Sequence, residues 1–155
     1  MAAALLHADG MLEFVEPFDC CDLDLADPYY LVVEHRNHLI VMTPDPVDID
    51  PQTGVLNFDF RTTDSYIDDP FMFGFFTGQK EIDDGVYAML AGNGNQTLTP
   101  NSDTDINLDD RTTWSADNGQ IGEYTIGDYN LNGDTNFNDR VTWEYNNGTF
   151  TSVPR

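Results

Sequence analysis

The stretch Asp128 to Trp143 reads D-Y-N-L-N-G-D-T-N-F-N-D-R-V-T-W, and its spacing governs how the rest of the chain is read. Counting twelve residues from Asp128 puts oxygen-bearing side chains at positions 1, 3, 5, 7, 9 and 12: Asp128, Asn130, Asn132, Asp134, Asn136 and Asp139. Gly133 stands at position 6, where the chain must turn sharply. Calcium takes about six to eight hard oxygens at roughly 2.3–2.6 Å, and alternate side chains of a tight loop converge on one point. Position 7 ordinarily gives its backbone carbonyl and position 9 often acts through water, so Asp134 and Asn136 are the softer members of the set. The pattern predicts a calcium loop followed at once by a short helix over 139–146. An Asn/Gly/Asp-rich turn on an acidic surface is the plain alternative.

A second copy exists in worn form. N-L-D-D-R-T-T-W (Asn107–Trp114) matches N-F-N-D-R-V-T-W (Asn136–Trp143) at N, D, R, T and W, 29 positions apart. Such self-similarity marks a duplicated unit. Projecting the loop backwards places Thr99, Asn101, Asp103, Asp105, Asn107 and Asp110 at the ligand positions, with Thr104 where glycine should be. A longer loop that starts at Asn93-Gly94-Asn95 and still closes at Asp110 is the other frame. The helix of this copy is expected over 110–117.

D-x-N-x-N-G-x-x-N-x-x-D followed by a short helix resembles the dockerin type I repeat, an EF-hand-like calcium loop without the entering helix. That family carries two such repeats and implies calcium (Ca²⁺) as the bound ion at both. It also implies a short β-bridge between Ile106 and Thr135, which occupy position 8 of the two loops. A wider resemblance is carried by H-R-N-H-L-I-V-M-T-P-D-P-V (His35–Val47), V-Y-A-M-L-A-G-N (Val86–Asn93) and the N-D-R repeats, in that order. The order is similar to a C-terminal region of large secreted proteins of Bacteroidetes-type bacteria. In such proteins further β-strand sequence precedes the segment seen here as Ala4–Gly10. The resemblance therefore implies an extracellular or cell-surface location and a β-domain that is incomplete at its start.

Composition sets outer bounds. With 28 acidic and 6 basic residues the formal charge is −22, and Lys80 is the one lysine, so nucleic acid is excluded as a natural partner. Asp outnumbers Glu, which points to turns and metal loops rather than acidic helices. Bound divalent cations would relieve part of the self-repulsion. No apolar run approaches the length of a membrane span. Met1-Ala-Ala-Ala-Leu-Leu-His lacks the basic start and length of a signal peptide, so either a leader has been removed or the chain is excerpted from something longer.

The first half alternates apolar and turn segments. Leu12–Val15, Tyr29–Glu34, Leu39–Met42, the strictly alternating Leu56–Phe60, Phe71–Phe76 and Val86–Leu90 read as strands. Arg36-Asn37-His38 is the polar turn of a hairpin. The fold class expected is mainly β: an antiparallel β-sandwich-like domain, Ig-like or incomplete, over 1–91. A dockerin-like pair of calcium loops with short helices fills 92–155. Phe150–Arg155 is expected to end the chain as an extended segment.

Other groups read as structural. His35 and His38 stand at i, i+3, but zinc needs three or four ligands, and a hydrogen-bonded hairpin pair fits better. Cys20 and Cys21 are adjacent; a strained vicinal disulfide, a crosslink to another chain and two free buried thiols are all open, with oxidation favoured in an exported protein. The pairs Asp68/Asp69 and Asp83/Asp84 read as solvated turns, unaccompanied by a nucleophile or a phosphate loop. The sequence thus predicts a non-enzymatic, secreted, calcium-binding structural protein. Self-association into a filament or surface layer is one expected role, and anchoring of a larger protein to a receptor is the other. An open sheet edge, with Gly148–Val153 or Leu5–Val15 as donor strand, is the route expected for self-association.

Overall fold

A computed structural model describes residues 4–6, 12–14, 28–53, 56–96 and 103–154. Cys20, Cys21, Thr99 and Asn101 lie outside the described residues, and so does the cysteine expectation. Six strands and two helices follow one another: β1 (Ala4–Leu6), β2 (Leu12–Phe14), β3 (Val32–His35), β4 (His38–Met42), β5 (Gln79–Asp83), β6 (Val86–Met89), α1 (Leu108–Asp117) and α2 (Phe137–Asn146). They pair as three two-stranded antiparallel sheets, β1–β2, β3–β4 and β5–β6. The hairpin expected around Arg36-Asn37-His38 is present as β3–β4. Among the described residues they stay as separate pairs beside two helices, so the fold is small and mixed, a looser match to a mainly-β domain.

Local sequence explains most of these elements. Arg36 and Asn37 form the turn of the β3–β4 hairpin, which brings His35 opposite His38 with perpendicular rings 4.5 Å apart. Burial, with His35 and Arg36 close by, pushes the His38 imidazole down to about 3, so it is neutral. Its Nδ1–H donates to Asn37 Oδ1 at 2.8 Å. The two rings meet edge to face across the hairpin, as the spacing suggested, with the hydrogen bond made by His38 to Asn37 and His35 Nδ1 buried without a partner among the described residues. Asp84-Gly85 turns β5 into β6, with Gly85 at φ 69°, where glycine alone is unstrained.

Two expected strands do not form. Leu56–Phe60 keeps its alternating burial and its Phe58 and Phe60 rings touch at 4.5 Å, yet no neighbour pairs with its backbone. Alternation dictates which side chains face inward, whereas a ladder also needs a partner edge. Phe71–Phe76 turns rather than extends: Met72 and Gly74 both take positive φ, and Phe71, Met72, Phe73 and Phe75 are exposed. Phe76 alone bridges, in parallel, to Phe150. Conversely β5, polar over Gln79-Lys80-Glu81, gave no apolar signal in the sequence.

The core draws on both sides of residue 91. Leu39, Leu90 and Ala91 pack with Ile106, Tyr129 and Trp143, and Trp114 lies against them. A smaller cluster joins Ile40 and Met42 to Val153, with Tyr66 beside it. The terminal segment is extended as expected. Thr151 N–H donates to Thr104 O at 2.8 Å and its hydroxyl to Ile40 O at 2.7 Å. Burying six such side chains stabilises by about 1.5–3 kcal/mol each before chain entropy is counted.

Candidate metal centre

The two repeats share one local design: loop, ten-residue helix, return segment. Asn107 and Asn136 cap the helices, their Oδ1 atoms accepting from Asp109 N at 2.6 Å and Asn138 N at 2.8 Å. Asp110 and Asp139 complete capping boxes by accepting from Asn107 N and Asn136 N. The caps make the helices begin at Leu108 and Phe137, two residues before the predicted starts. Neither ten-residue helix would persist alone. Each is held by the other repeat: Trp114 Nε1 donates to Asn136 O at 2.9 Å, and Trp143 Nε1 to Asn107 O at 2.8 Å.

After each helix the chain returns along the loop of the other repeat. Gly119 N donates to Thr135 O and Thr135 N to Gln120 O; Gly148 N donates to Ile106 O and Ile106 N to Thr149 O. The bridges formed are Ile121–Asp134 and Asp105–Phe150. The expected bridge between Ile106 and Thr135 is therefore replaced, because both backbone groups of each residue are already bonded to the segment that follows the other repeat's helix.

In the second loop Asp128, Asn130, Asn132 and Asp139 are tied together through the loop's backbone. Asp128 and Asp139 are fully buried. Asp128 accepts from Asn132 N and Gly133 N at 3.1 and 2.9 Å, and Asp139 from Asn130 N and Asn136 N at 3.0 and 2.8 Å. Asn130 and Asn132 oxygens lie over the following backbone, accepting from Asn132 N and Asp134 N. Gly133 takes φ 86° at the sharp turn. The two softer members face elsewhere: Asp134 Oδ1 accepts from Gly122 N, and Asn136 is the helix cap. The Asp134 carbonyl accepts from Asn136 Nδ2 at 3.1 Å, which ties the two softer members together.

The first loop takes the longer frame. Asp110 Oδ1 accepts from Asn95 N at 3.1 Å, as Asp139 Oδ1 accepts from Asn130 N. Asn95 therefore stands where Asn130 does, and Asn93 where Asp128 does. The separation Asn95–Asp110 is 15 residues against 9 for Asn130–Asp139, so this loop is six residues longer. The glycines before the two loops confirm the alignment. A Cβ on Gly92 would meet Ile106 and Trp143 at 3.3 Å, and one on Gly127 would meet Trp114 at 3.0 Å and Thr135 at 3.2 Å. Asp103, Asp105, Asn107 and Asp110 keep their projected places; Asp105 Oδ2 accepts from Asn107 Nδ2, and Asn107 is the cap. The sequence signal for this frame is Gly-Asn-x-Asn at 92–95 against Gly-Asp-x-Asn at 127–130.

The residues fit a hard cation. Buried Asn93 Oδ1, Asn95 Oδ1 and Asp103 Oδ2 have no hydrogen-bond partner among the described residues, and Asn93 is 1% exposed. Acceptors left so cost free energy unless something positive meets them. Asp103 is pushed up to about 6 by burial, by its hydrogen bond with Asp105 and by the charges of Asp110 and Asp105. Burial also raises Asp110. Tyr129, whose hydroxyl donates to Asp110 O at 2.6 Å, is pushed up by burial and then by Asp110, Asp117 and Asp139. The ion pairs found among the described residues, Arg61–Asp59 and Arg140–Glu144, lie elsewhere. Among the described residues no three His, Cys, Asp or Glu side chains gather into one group. Each loop instead mixes carboxylates with neutral Asn oxygens, a donor set that suits calcium and disfavours zinc. No protein-family model, curated protein or solved structure matches the chain.

Proposed function

We propose that the chain is a calcium-stabilised structural module of the cell exterior, without catalysis of its own, in which two dockerin-like loops brace a β-rich half. The observation that supports this best is the repeated placement of Asp110 and Asp139. Both are fully buried, each closes a loop of oxygen-bearing residues, and among the described residues neither has an ion pair with a cationic side chain. Asp128, Asn130, Asn132 and Asp139, with the Asp134 carbonyl, would hold one ion. Asn93, Asn95, Asp103 and Asp110, with the Asp105 carbonyl, would hold the other. Bound calcium supplies positive charge at the centre of each loop, and the chain contributes its oxygens and the capped helix behind them.

Self-association into a filament or surface layer is the role we favour, with residues 1–91 as a sandwich-like unit completed by a strand from another chain. The exposed run Phe71, Met72, Phe73 and Phe75, beside the Phe76–Phe150 bridge, supports it. The second reading is an anchoring module that docks a protein receptor. It is favoured by the matched helix starts, where Leu108 and Phe137 are 65% and 63% exposed and Arg111 and Arg140 flank the tryptophans. Among the described residues no helix is long and apolar enough to cross a membrane. Calorimetric titration of chelator-stripped protein tests the calcium reading, with two ions expected; absence of both heat and thermal stabilisation overturns it. Sedimentation in calcium separates the roles: concentration-dependent assembly supports the first, a persistent monomer the second.

A further inference from the structure

One residue outside the loops touches the beginning of both. Asn37, in the β3–β4 turn, is completely buried. Its main-chain carbonyl accepts from Gly92 N at 3.0 Å and Asn93 N at 3.2 Å. Its side-chain amide donates to Ile126 O at 2.9 Å and Asp128 O at 2.8 Å. Its Oδ1 is taken by His38 Nδ1. Asn93 and Asp128 are the first ligand positions of the two loops. Both N–H groups and the oxygen of the side chain are thus in use, so no other residue type reproduces the set: aspartate lacks the donors, and glutamine is one methylene too long. Arg36 reinforces the contact, donating from Nη1 to Tyr124 O with its guanidinium 5.8 Å from the Tyr124 ring centre.

We propose that Asn37 is a positioning residue that links the two loops, so that calcium binds them cooperatively and loading is transmitted to the β3–β4 hairpin. This rests on the calcium reading given above. The position-8 residues do not join the loops to each other; Ile106 is bonded to the segment after α2 and Thr135 to the segment after α1. An ion in one loop fixes its first residue, and hence the Asn37 peptide or amide. The other loop then binds in a frame already ordered, at a lower entropic cost. The hairpin continues from Asn37 into Leu39, whose N–H donates to Leu90 O at 2.8 Å in the core.

The test is calcium titration of the chelator-stripped chain by calorimetry, paired with amide hydrogen exchange. In the unaltered protein the second ion should bind at least about 5-fold more tightly than the first, the lower end of ordinary coupling. Asn37→Ala should still take two ions, now independently, and calcium should no longer slow exchange across His38–Met42. Two independent sites in the unaltered protein would overturn the link while leaving the calcium reading intact. Cooperativity that survives in Asn37→Ala would overturn it too, assigning the coupling to the crossed tryptophan bonds. No binding at all removes both. Should Asn37→Ala fail to fold, Asp139→Ala serves: calcium in the first loop alone should still slow exchange at Ile126–Asp128, and unchanged exchange there defeats the proposal.

Discussion

Loops 93–110 and 128–139 close on the same carboxylate geometry and differ in how their oxygens are satisfied. In the second, Asp128, Asn130 and Asn132 accept from the loop's own N–H groups within five residues. In the first, Asn93 Oδ1, Asn95 Oδ1 and Asp103 Oδ2 are buried and unmet. Twelve residues with Gly133 at the bend can fold their backbone back onto their ligands, and a loop six residues longer cannot do so everywhere. The second loop is preorganised before any ion arrives. The first buries oxygens that find no partner among the described residues.

Removing calcium altogether is the largest perturbation. An ion held at about 100 times its dissociation constant stabilises by about 2.7 kcal/mol per site. For a chain of this size each kcal/mol moves the melting temperature by about 2–4 °C. We expect chelation to lower the melting temperature by about 10–20 °C; a melting curve indifferent to chelator removes the basis for comparing the loops as metal sites. Next in size is a pair of variants measured with and without calcium. In calcium, Asp128→Ala and Asn93→Ala should each lose one ion. In chelator they should part: Asp128→Ala strands the buried N–H of Gly133, costing about 1–3 kcal/mol, while Asn93→Ala removes an oxygen that had no partner, together with one long amide bond to Asp103 O at 3.5 Å, and costs less. Equal losses in chelator would show that the loops are preorganised alike.

The asymmetry explains what the sequence could and could not disclose. The spacing of Asp128, Asn130, Asn132 and Asp139 is local, so a twelve-residue count found it, and the N-D-R-x-T-W match located both helices within two residues. The first loop's ligands Asn93 and Asn95 lie outside any twelve-residue window that ends at Asp110. Only the backbone bond from Asn95 to Asp110 picks their frame over the one through Thr99 and Asn101. In the β half, alternation at Leu56–Phe60 reported burial correctly and pairing wrongly, since pairing depends on an edge contributed from elsewhere. The role of Asn37 was illegible for the same reason. Its partners Ile126 and Asp128 are 89 and 91 residues away in sequence.

The two frames of the first loop make a sharper test. Asn95→Ala should weaken one calcium site by about 10-fold or more, a loss of the order seen when a group supporting a metal is removed. Asn101→Ala, in the shorter frame, should leave both affinities within about twofold, the size of change expected where no ligand is removed. Titration of the two variants side by side reads this directly. The reverse ranking would return the loop to the twelve-residue frame and remove the length difference on which the comparison stands.

The smallest expected effect is on pH dependence without metal. Asp103 is pushed up to about 6 and Asp110 is raised by burial, whereas an unfolded aspartate titrates near about 3.9. A raised carboxyl pKa means that the folded, metal-free protein holds the proton more tightly than the unfolded chain. The associated stability is fully present below about pH 4 and is lost as pH rises through about 6. In chelator the protein should therefore melt at a higher temperature at pH 5 than at pH 7. Asp103→Asn, neutral throughout, should flatten that slope and raise the melting temperature at pH 7. The shift will be no more than a few degrees, because Asp103 is partly exposed and water screens its charge. Calcium should reverse the sign, since the ion needs both carboxylates deprotonated and acidification then competes with it. A slope in chelator that Asp103→Asn leaves untouched would mean that the general repulsion of a chain at −22 sets the pH dependence, and that the first loop is no more strained without metal than the second.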